Sequence, residues 1–263
     1  MRIFWIGGNH PRHLYYINQI SKKFEITGSI VQMRENLMPS PPDNISEIDR
    51  KNFIRHFETR KKKEREYFGN QKLPNCDILE VTSETLNSAK STLWLETKSP
   101  DVVLIFGSDL IMNSLYSVLP KDSINLHLGL SPRYRGAATL FWPFYFLEPN
   151  LAGSTLHYII SEPDAGEIIH QCTPELSLND GIHDVGCKTV ISSSDEVIKL
   201  LEFKEKNIAW KRFKQKGTGK NFMSTDFRPE HLRVIYNLFD DDIVKQYLNG
   251  NISSKTFNLI KQF

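Results

Sequence analysis

The chain has 263 residues, 40% of them hydrophobic and 24% charged, with 33 basic against 31 acidic side chains. That length suits one large domain, or one domain with a small appendage, and the apolar content is enough for a sizeable core. A formal net charge of +2 argues only weakly for a polyanionic partner, and three cysteines without C-x-x-C spacing (Cys76, Cys172, Cys187) give neither a disulfide framework nor a zinc site.

The apolar run at the N-terminus is too short for a signal peptide. No stretch approaches ~18 consecutive apolar residues, so a cytoplasmic protein without a membrane span is expected. Residues 2–6, RIFWI, read as a buried strand broken by Gly7-Gly8. Pro11 suits a first helical turn, where its missing N–H is no loss, and Leu14, Ile17 and Ile20 follow at helical spacing. ITGSIVQ (26–32) is a second strand, which makes β-turn-α-β, the opening of a parallel α/β sheet. The glycine pair is not G-x-G-x-x-G, so a dinucleotide fingerprint is not supported.

MPSPPDN (38–44) is a Pro-rich loop, and Asp49–Phe68 is charged and helical in pattern. Its Arg60–Lys63 run invites a nucleic-acid reading. The interleaved Glu58, Glu64 and Glu66 favour a solvated helix face instead. DILEV (77–81) reads as a strand, Ser88–Lys98 as a helix, and SPDVVLIFG (99–107) as a buried strand ending in glycine. After a short apolar segment, INLHLG (124–129) is another strand, ATLFWPFYFL (138–147) an aromatic-rich helix started or kinked by Pro143, and STLHYII (154–160) and GEIIHQC (166–172) two further β-type runs. Strand–helix alternation to about residue 180 predicts an α/β fold: a doubly wound, mostly parallel, Rossmann-like sheet with a small C-terminal α/β extension. The expected division is a catalytic domain over 1–180 and a helical and hairpin extension over 181–263. In the extension a helix is expected from about Ile182 to Lys206, a basic hairpin over 209–222, and helices over Pro229–Phe239 and Asp242–Leu248.

Ligands of open parallel sheets bind outside the carboxyl ends of the strands. Polar groups reach that edge as Gly107-Ser108-Asp109, as Asn125 and His127, and as Asp164 in a later loop. Residues two apart on a strand share a face, so Asn125 and His127 point the same way. A lone histidine on an apolar strand is ordinarily a satisfied core residue. An asparagine beside it on one face is harder to explain so, since burying both without partners would cost a few kcal/mol.

N-L-H (125–127), the P-R-Y-R-G turn (132–136), G-S-T-L-H-Y-I (153–159) and D-A-G (164–166) together resemble the N10-formyltetrahydrofolate-dependent formyltransferase family, whose members act on glycinamide ribonucleotide, methionyl-tRNA and aminosugar nucleotides. The resemblance covers roughly residues 100–172 and, more loosely, 1–35. It implies Asn125, His127 and Asp164 as the catalytic residues. Amide and imidazole N–H groups would stabilise the oxyanion formed when an amine attacks the formyl carbon, worth about 3–4 kcal/mol per donor. Asp164 would hold the imidazole or a water and help carry the amine proton to the leaving nitrogen. N10-formyltetrahydrofolate would be the co-substrate, with no metal. The resemblance places its folate against Ser108, Asp109, Leu110 and Ile111 and against Ile160 and Glu162, and the aromatic residues at 140–146 read as core packing rather than a pterin site. GGNHPRH (7–13) falls where glycinamide ribonucleotide enzymes meet substrate phosphate, which makes Asn9, His10 and Arg12 the expected acceptor contacts, with the helix N-terminus assisting. One departure is Gly129, where the family commonly has a serine; Ser131 is the nearby substitute to consider.

Only about 60 residues follow Lys206, fewer than the C-terminal barrel of the methionyl-tRNA enzymes requires, and purine-pathway enzymes lack such a tail. Residues 216–233 resemble the C-terminal region of bacterial aminosugar formyltransferases, where Lys211, Lys214, Lys216 and Lys220 could meet a diphosphate or simply be solvated. The expected activity is therefore formyl transfer to the amine of an aminosugar nucleotide in polysaccharide biosynthesis. The partners would be small molecules, with neither membrane nor nucleic acid, and the C-terminal segment offers a homodimer surface. The alternatives are formylation of methionyl-tRNA or another amine, and a non-catalytic α/β protein binding nucleic acid through the basic helix at 51–65.

Overall fold

A computed structural model describes residues 1–34, 38–216 and 219–263. In chain order the elements are β1 (Ile3–Gly8), α1 (Pro11–Ser21), β2 (Ile26–Gln32), α2 (Glu47–Phe68), β3 (Ile78–Val81), α3 (Ala89–Lys98), β4 (Val102–Phe106), α4 (Asn113–Ser117), β5 (Asp122–His127), β6 (Tyr134–Gly136), α5 (Trp142–Tyr145), β7 (Ser154–Tyr158), β8 (Ile168–Cys172), α6 (Ile182–Glu205), β9 (Lys220–Phe222) and α7 (Ile243–Leu248). Seven strands form one sheet in the order β3-β2-β1-β4-β5-β7-β8. The first five are parallel, and β7 and β8 continue the sheet antiparallel. This is the doubly wound, mostly parallel α/β sheet expected, with its order reversing beside β1.

The pleat divides the side chains between two layers. Ile3, Trp5, Leu104, Phe106, Leu126 and Leu156 are buried with side chains of α1 and α6, whereas Phe4, Ile6, Val103 and Ile105 are buried with Leu95 of α3 and Leu115 of α4. Asn125 and His127 alternate with Leu126 and so belong to the second face, where the 159–167 loop and the 134–136 turn lie against them. At the reversal, Gly107 has φ +79°, and a Cβ there would stand 2.1 Å from His13 Cε1. The His13 ring packs edge-on against Phe106, 4.6 Å between centroids. The glycine-rich strand ends thus admit a histidine from α1.

Elements are shorter than expected where aromatic side chains dominate. Residues 138–147 hold only the four-residue α5, with Pro143 in its first turn, because Phe141, Trp142 and Phe144 are drawn into a third core with Phe222, Leu232, Ile235 and Ile243. The basic segment at 209–222 is not a hairpin. Phe213 bridges to Ile168, while β9 pairs in parallel with β6, so its two arms join different sheets; Gly217 and Thr218 of its expected turn lie outside the described residues. Pro229–Phe239 is a 3-10 turn followed by a π-helical one. The helix α6, expected to open the extension, lies across α1 and α2 and forms part of the layer over the sheet. The last residues return to the β8 edge: Gln171 N–H donates to Ile260 O at 2.7 Å and Gln262 Nε2 to Ile169 O at 2.7 Å. No described helix is long and apolar enough to cross a membrane.

Candidate active site

Antiparallel pairing of β5 with β7 sets Asn125 opposite His157 and His127 opposite Thr155. Asn125 Nδ2 lies 3.1 Å from His157 Nε2, and His157 Nδ1 lies 3.0 Å from Tyr158 O. Asp164, in the loop between β7 and β8 with φ +51°, turns its carboxylate between the two imidazoles. Its Oδ2 is 3.3 Å from His127 Nδ1 and its Oδ1 3.3 Å from His157 Nε2, and Gly136 N–H donates to Oδ2 at 3.1 Å. The structure therefore brings Asn125, His127 and Asp164 into one cluster and adds His157, the histidine of G-S-T-L-H-Y-I. Its signal was register: antiparallel neighbours of an Asn-x-His strand must supply the residue facing the asparagine.

His127 Nε2 lies 2.9 Å from Tyr134 O, and since a carbonyl only accepts, Nε2 carries the proton. In the neutral ring Nδ1 then presents a lone pair toward Asp164. Burial lowers the His127 pKa, against the pull of Asp164 and the Tyr134 carbonyl, so the neutral form prevails at neutral pH. Burial would raise Asp164, but its contact with His157, its attraction for a proton on either flanking imidazole and the Gly136 N–H together hold it well below the usual carboxylate range. The cluster thus couples an ionised carboxylate to a neutral imidazole that can accept a proton on the side facing it. Its imidazole N–H is spent on Tyr134, which leaves the Asn125 amide as the N–H donor not held by a carbonyl.

The residues expected to meet folate flank this cluster. Asp109 is fixed by Gln32, at 2.6 Å and, through its own N–H, 2.7 Å, and by Arg34 at 3.0 Å, and Asn87 holds the Leu110 carbonyl at 2.9 Å. Leu110 and Ile160 are large apolar side chains left exposed, one in each loop, with Ile111 packed on the core below. Ser108 and Glu162 lie in the same two loops. The expected acceptor contacts have partners within the fold. Asn9 exchanges hydrogen bonds with the Arg34 backbone at 3.3 and 3.2 Å, and His10 and Arg12 both engage Glu64 of α2, His10 Nδ1 at 3.2 Å. Arg12 is thus neither solvated nor free at the helix N-terminus.

Gly129 follows from close packing. A Cβ there would lie 2.6 Å from His127 Nε2, 2.6 Å from Tyr134 O and 2.8 Å from Thr139 Cβ, so no side chain fits. Ser131 is fully buried, its N–H bonds Thr155 Oγ1 at 2.9 Å, and it lines a cleft of about 680 Å³ with Arg212, Lys214 and Lys216. The side chain beside Gly129 is Thr139, whose hydroxyl donates to Leu128 O.

The Formyl transferase family pattern matches residues 55–188, just over half of the chain. The chain belongs to the formyl transferase family. This transferase also superimposes on solved formyltransferases of low identity. A 4-N formyltransferase from Francisella tularensis matches with a TM-score of 0.54 at 18% identity, covering 86% of this chain and 77% of that one. Phosphoribosylglycinamide formyltransferase from Anaplasma phagocytophilum matches with 0.56 at 16%, covering 85% and 97%. The formyltransferase PseJ from Anoxybacillus kamchatkensis, in complex with UDP-4,6-dideoxy-4-formamido-L-AltNAc and tetrahydrofolate, matches with 0.51 at 18%, covering 93% and 97%. At such identities the likeness speaks for the fold.

Proposed function

We propose that the transferase moves the formyl group of N10-formyltetrahydrofolate to the primary amine of an aminosugar nucleotide, with Asn125, His127 and Asp164 as the catalytic residues. The observation that carries the reaction is the convergence of these three groups with His157 between two loops bearing exposed apolar side chains, in a chain of this family. Leu110 and Ile160 are suited to a flat folate, and backbone groups at 108–111 and 160–162 to its polar edge. The folate derivative supplies the formyl group. Asn125 Nδ2 donates to the oxygen on which negative charge develops. His127, neutral and proton-accepting at Nδ1, takes the amine proton while Asp164 stabilises the cation so formed, and the proton then passes to the leaving nitrogen. One C–N bond forms and one breaks, and the proton count closes without a metal or redox partner.

The aminosugar acceptor is supported by the likeness of residues 216–233 to aminosugar formyltransferases and by the sugar N-formyltransferases among the structures that this fold resembles, PseJ, solved with a sugar nucleotide, covering 93% of this chain. A cytoplasmic enzyme whose product feeds polysaccharide assembly accords with this reading. Purified protein is incubated with N10-formyltetrahydrofolate and a panel of UDP- and dTDP-linked aminosugars, glycinamide ribonucleotide and methionyl-tRNA, and tetrahydrofolate release is followed. Release with at least one aminosugar nucleotide and not with the other two is expected; turnover of glycinamide ribonucleotide alone would overturn the acceptor.

A further inference from the structure

The carboxylate that closes the catalytic cluster hangs on a loop with few holds of its own. Asp164 has φ +51°, a left-handed conformation that a residue other than glycine keeps only where its surroundings impose it. The reach of its two oxygens to His127 and His157, 3.3 Å each, depends on the backbone holding that turn. Among the described residues, the hydrogen-bonded backbone groups of 160–166 are the carbonyls of Asp164 and Gly166. One side chain holds both. Gln215 Nε2 donates to Asp164 O at 2.7 Å and to Gly166 O at 2.9 Å.

These two contacts settle which way the amide points. Carbonyls only accept, so the nitrogen faces them, and its two N–H groups are spent on the two sides of Ala165. The other end of the amide shows what this orientation costs: among the described residues Gln215 Oε1 is buried without a partner, whereas a side chain turned to solvent would have both ends satisfied. The segment that carries Gln215 is itself fixed. Two residues earlier, Phe213 exchanges backbone hydrogen bonds with Ile168 at 2.8 and 3.0 Å, and Arg212 lies over the Tyr158 ring, 3.8 Å from its centroid. On its other side the loop has no slack, since a Cβ at Gly166 would stand 1.8 Å from Tyr158 O. We propose that Gln215, supplied by the C-terminal extension, is a positioning residue for formyl transfer, clamping the turn at 164–166 so that the Asp164 carboxylate stands between His127 and His157. It acts through Asp164 and not on the reacting atoms. The assignment rests on the transfer reaction proposed above, in which Asp164 stabilises the charge formed on His127.

Three substitutions separate the donor from the bulk of the side chain. Gln215→Met keeps its length and removes both N–H groups, Gln215→Glu keeps its shape and sets a carboxylate against two carbonyls, and Gln215→Lys restores N–H donors on a different skeleton. Gln215 is half-buried, so all three should fold. With the formyl donor and the aminosugar nucleotide turned over by wild type, kcat should fall about 10- to 100-fold in Gln215→Met and Gln215→Glu, as a misplacement of about 1 Å does. It should return to within a few-fold of wild type in Gln215→Lys, and the acceptor KM should change less than kcat throughout. A side chain needed only for packing would be replaced by methionine and not by lysine. Nitrogen NMR of the imidazoles in the ligand-free chain gives a readout that needs no turnover. In Gln215→Met the His127 and His157 resonances should move toward their positions in Asp164→Asn, while those of the other histidines stay put. Wild-type kcat in Gln215→Met, a Gln215→Lys as slow as Gln215→Met, or unmoved His127 and His157 resonances overturns the clamp and leaves the transfer reaction standing. Imidazole resonances that move as expected, in a protein whose wild type formylates no amine, keep the clamp and overturn the transfer reaction.

Discussion

At the scale of single residues, the site turns on where protons already are. Asn125 offers an N–H donor that is not committed to a carbonyl, because His127 gives its Nε2 proton to Tyr134. Asn125→Ala should therefore lower kcat by about 10²–10³, the usual loss of one such donor, with the urea midpoint little changed; a kcat within a few-fold of wild type would remove Asn125 from the reaction. Gly129 makes a sharper case. Serine is the residue the resemblance leads one to expect there, yet its Cβ would meet His127 Nε2 and Tyr134 O at 2.6 Å. Gly129→Ser should displace the imidazole and lower kcat by about 10², as a misplacement of about 1 Å does, although the substitution moves the chain toward its relatives. Wild-type kcat in this variant would show that the Thr139 side gives way instead. Two-residue spacing put Asn125 and His127 on one face, while their catalytic roles, and that of Asp164, are what the compound motif's resemblance implies. The place of His157 was not legible, because it is set by a partner 32 residues away in sequence, Asn125.

Among the elements, β6 and β9 connect the extension to the catalytic cluster. These three-residue strands pair in parallel, Arg135 opposite Asn221, and carry no periodicity of their own for sequence inspection to find. Long buried strands such as β4 were legible because an apolar run between Pro100 and Gly107 has few other readings. What secures β9 is Phe222, 2% exposed, stacked on Trp142 at 4.4 Å and on Tyr134 at 6.1 Å. The strand it holds delivers the Tyr134 carbonyl to His127 and the Gly136 N–H to Asp164. Phe222→Ala should cost about 3–5 kcal/mol of stability and lower kcat as well, whereas an aromatic removed only from a structural tail would affect stability alone. Urea unfolding and turnover of the folded fraction separate the two. Unchanged kcat per folded molecule would uncouple the extension from chemistry.

For the molecule as a whole, the buried imidazoles decide how it meets acid. His13, His56, His127 and His183 all have pKa values below the ordinary 6.5, with burial as the leading cause, and His56 is pushed down to about 3. The unfolded chain takes up these protons below pH 6.5 and the folded one does not. Their contribution is therefore complete above 6.5 and is lost as pH falls toward the folded values. Asp241 acts in the opposite sense: burial raises it to about 6, so the fold keeps a proton that the unfolded carboxyl releases near 3.8. That contribution is complete below 3.8 and is lost as pH rises to about 6. His170, buried and pushed down to about 4, acts with the four histidines, so near pH 5 the one carboxyl offsets only one of the imidazoles and unfolding takes up protons on balance. Unfolding free energy should therefore fall between pH 6 and 5, by about 1.4 kcal/mol per pH unit for each proton taken up, with a gentler slope above pH 7. Urea unfolding at pH 7, 6 and 5 measures it. A flat profile would mean that the imidazoles ionise within the fold.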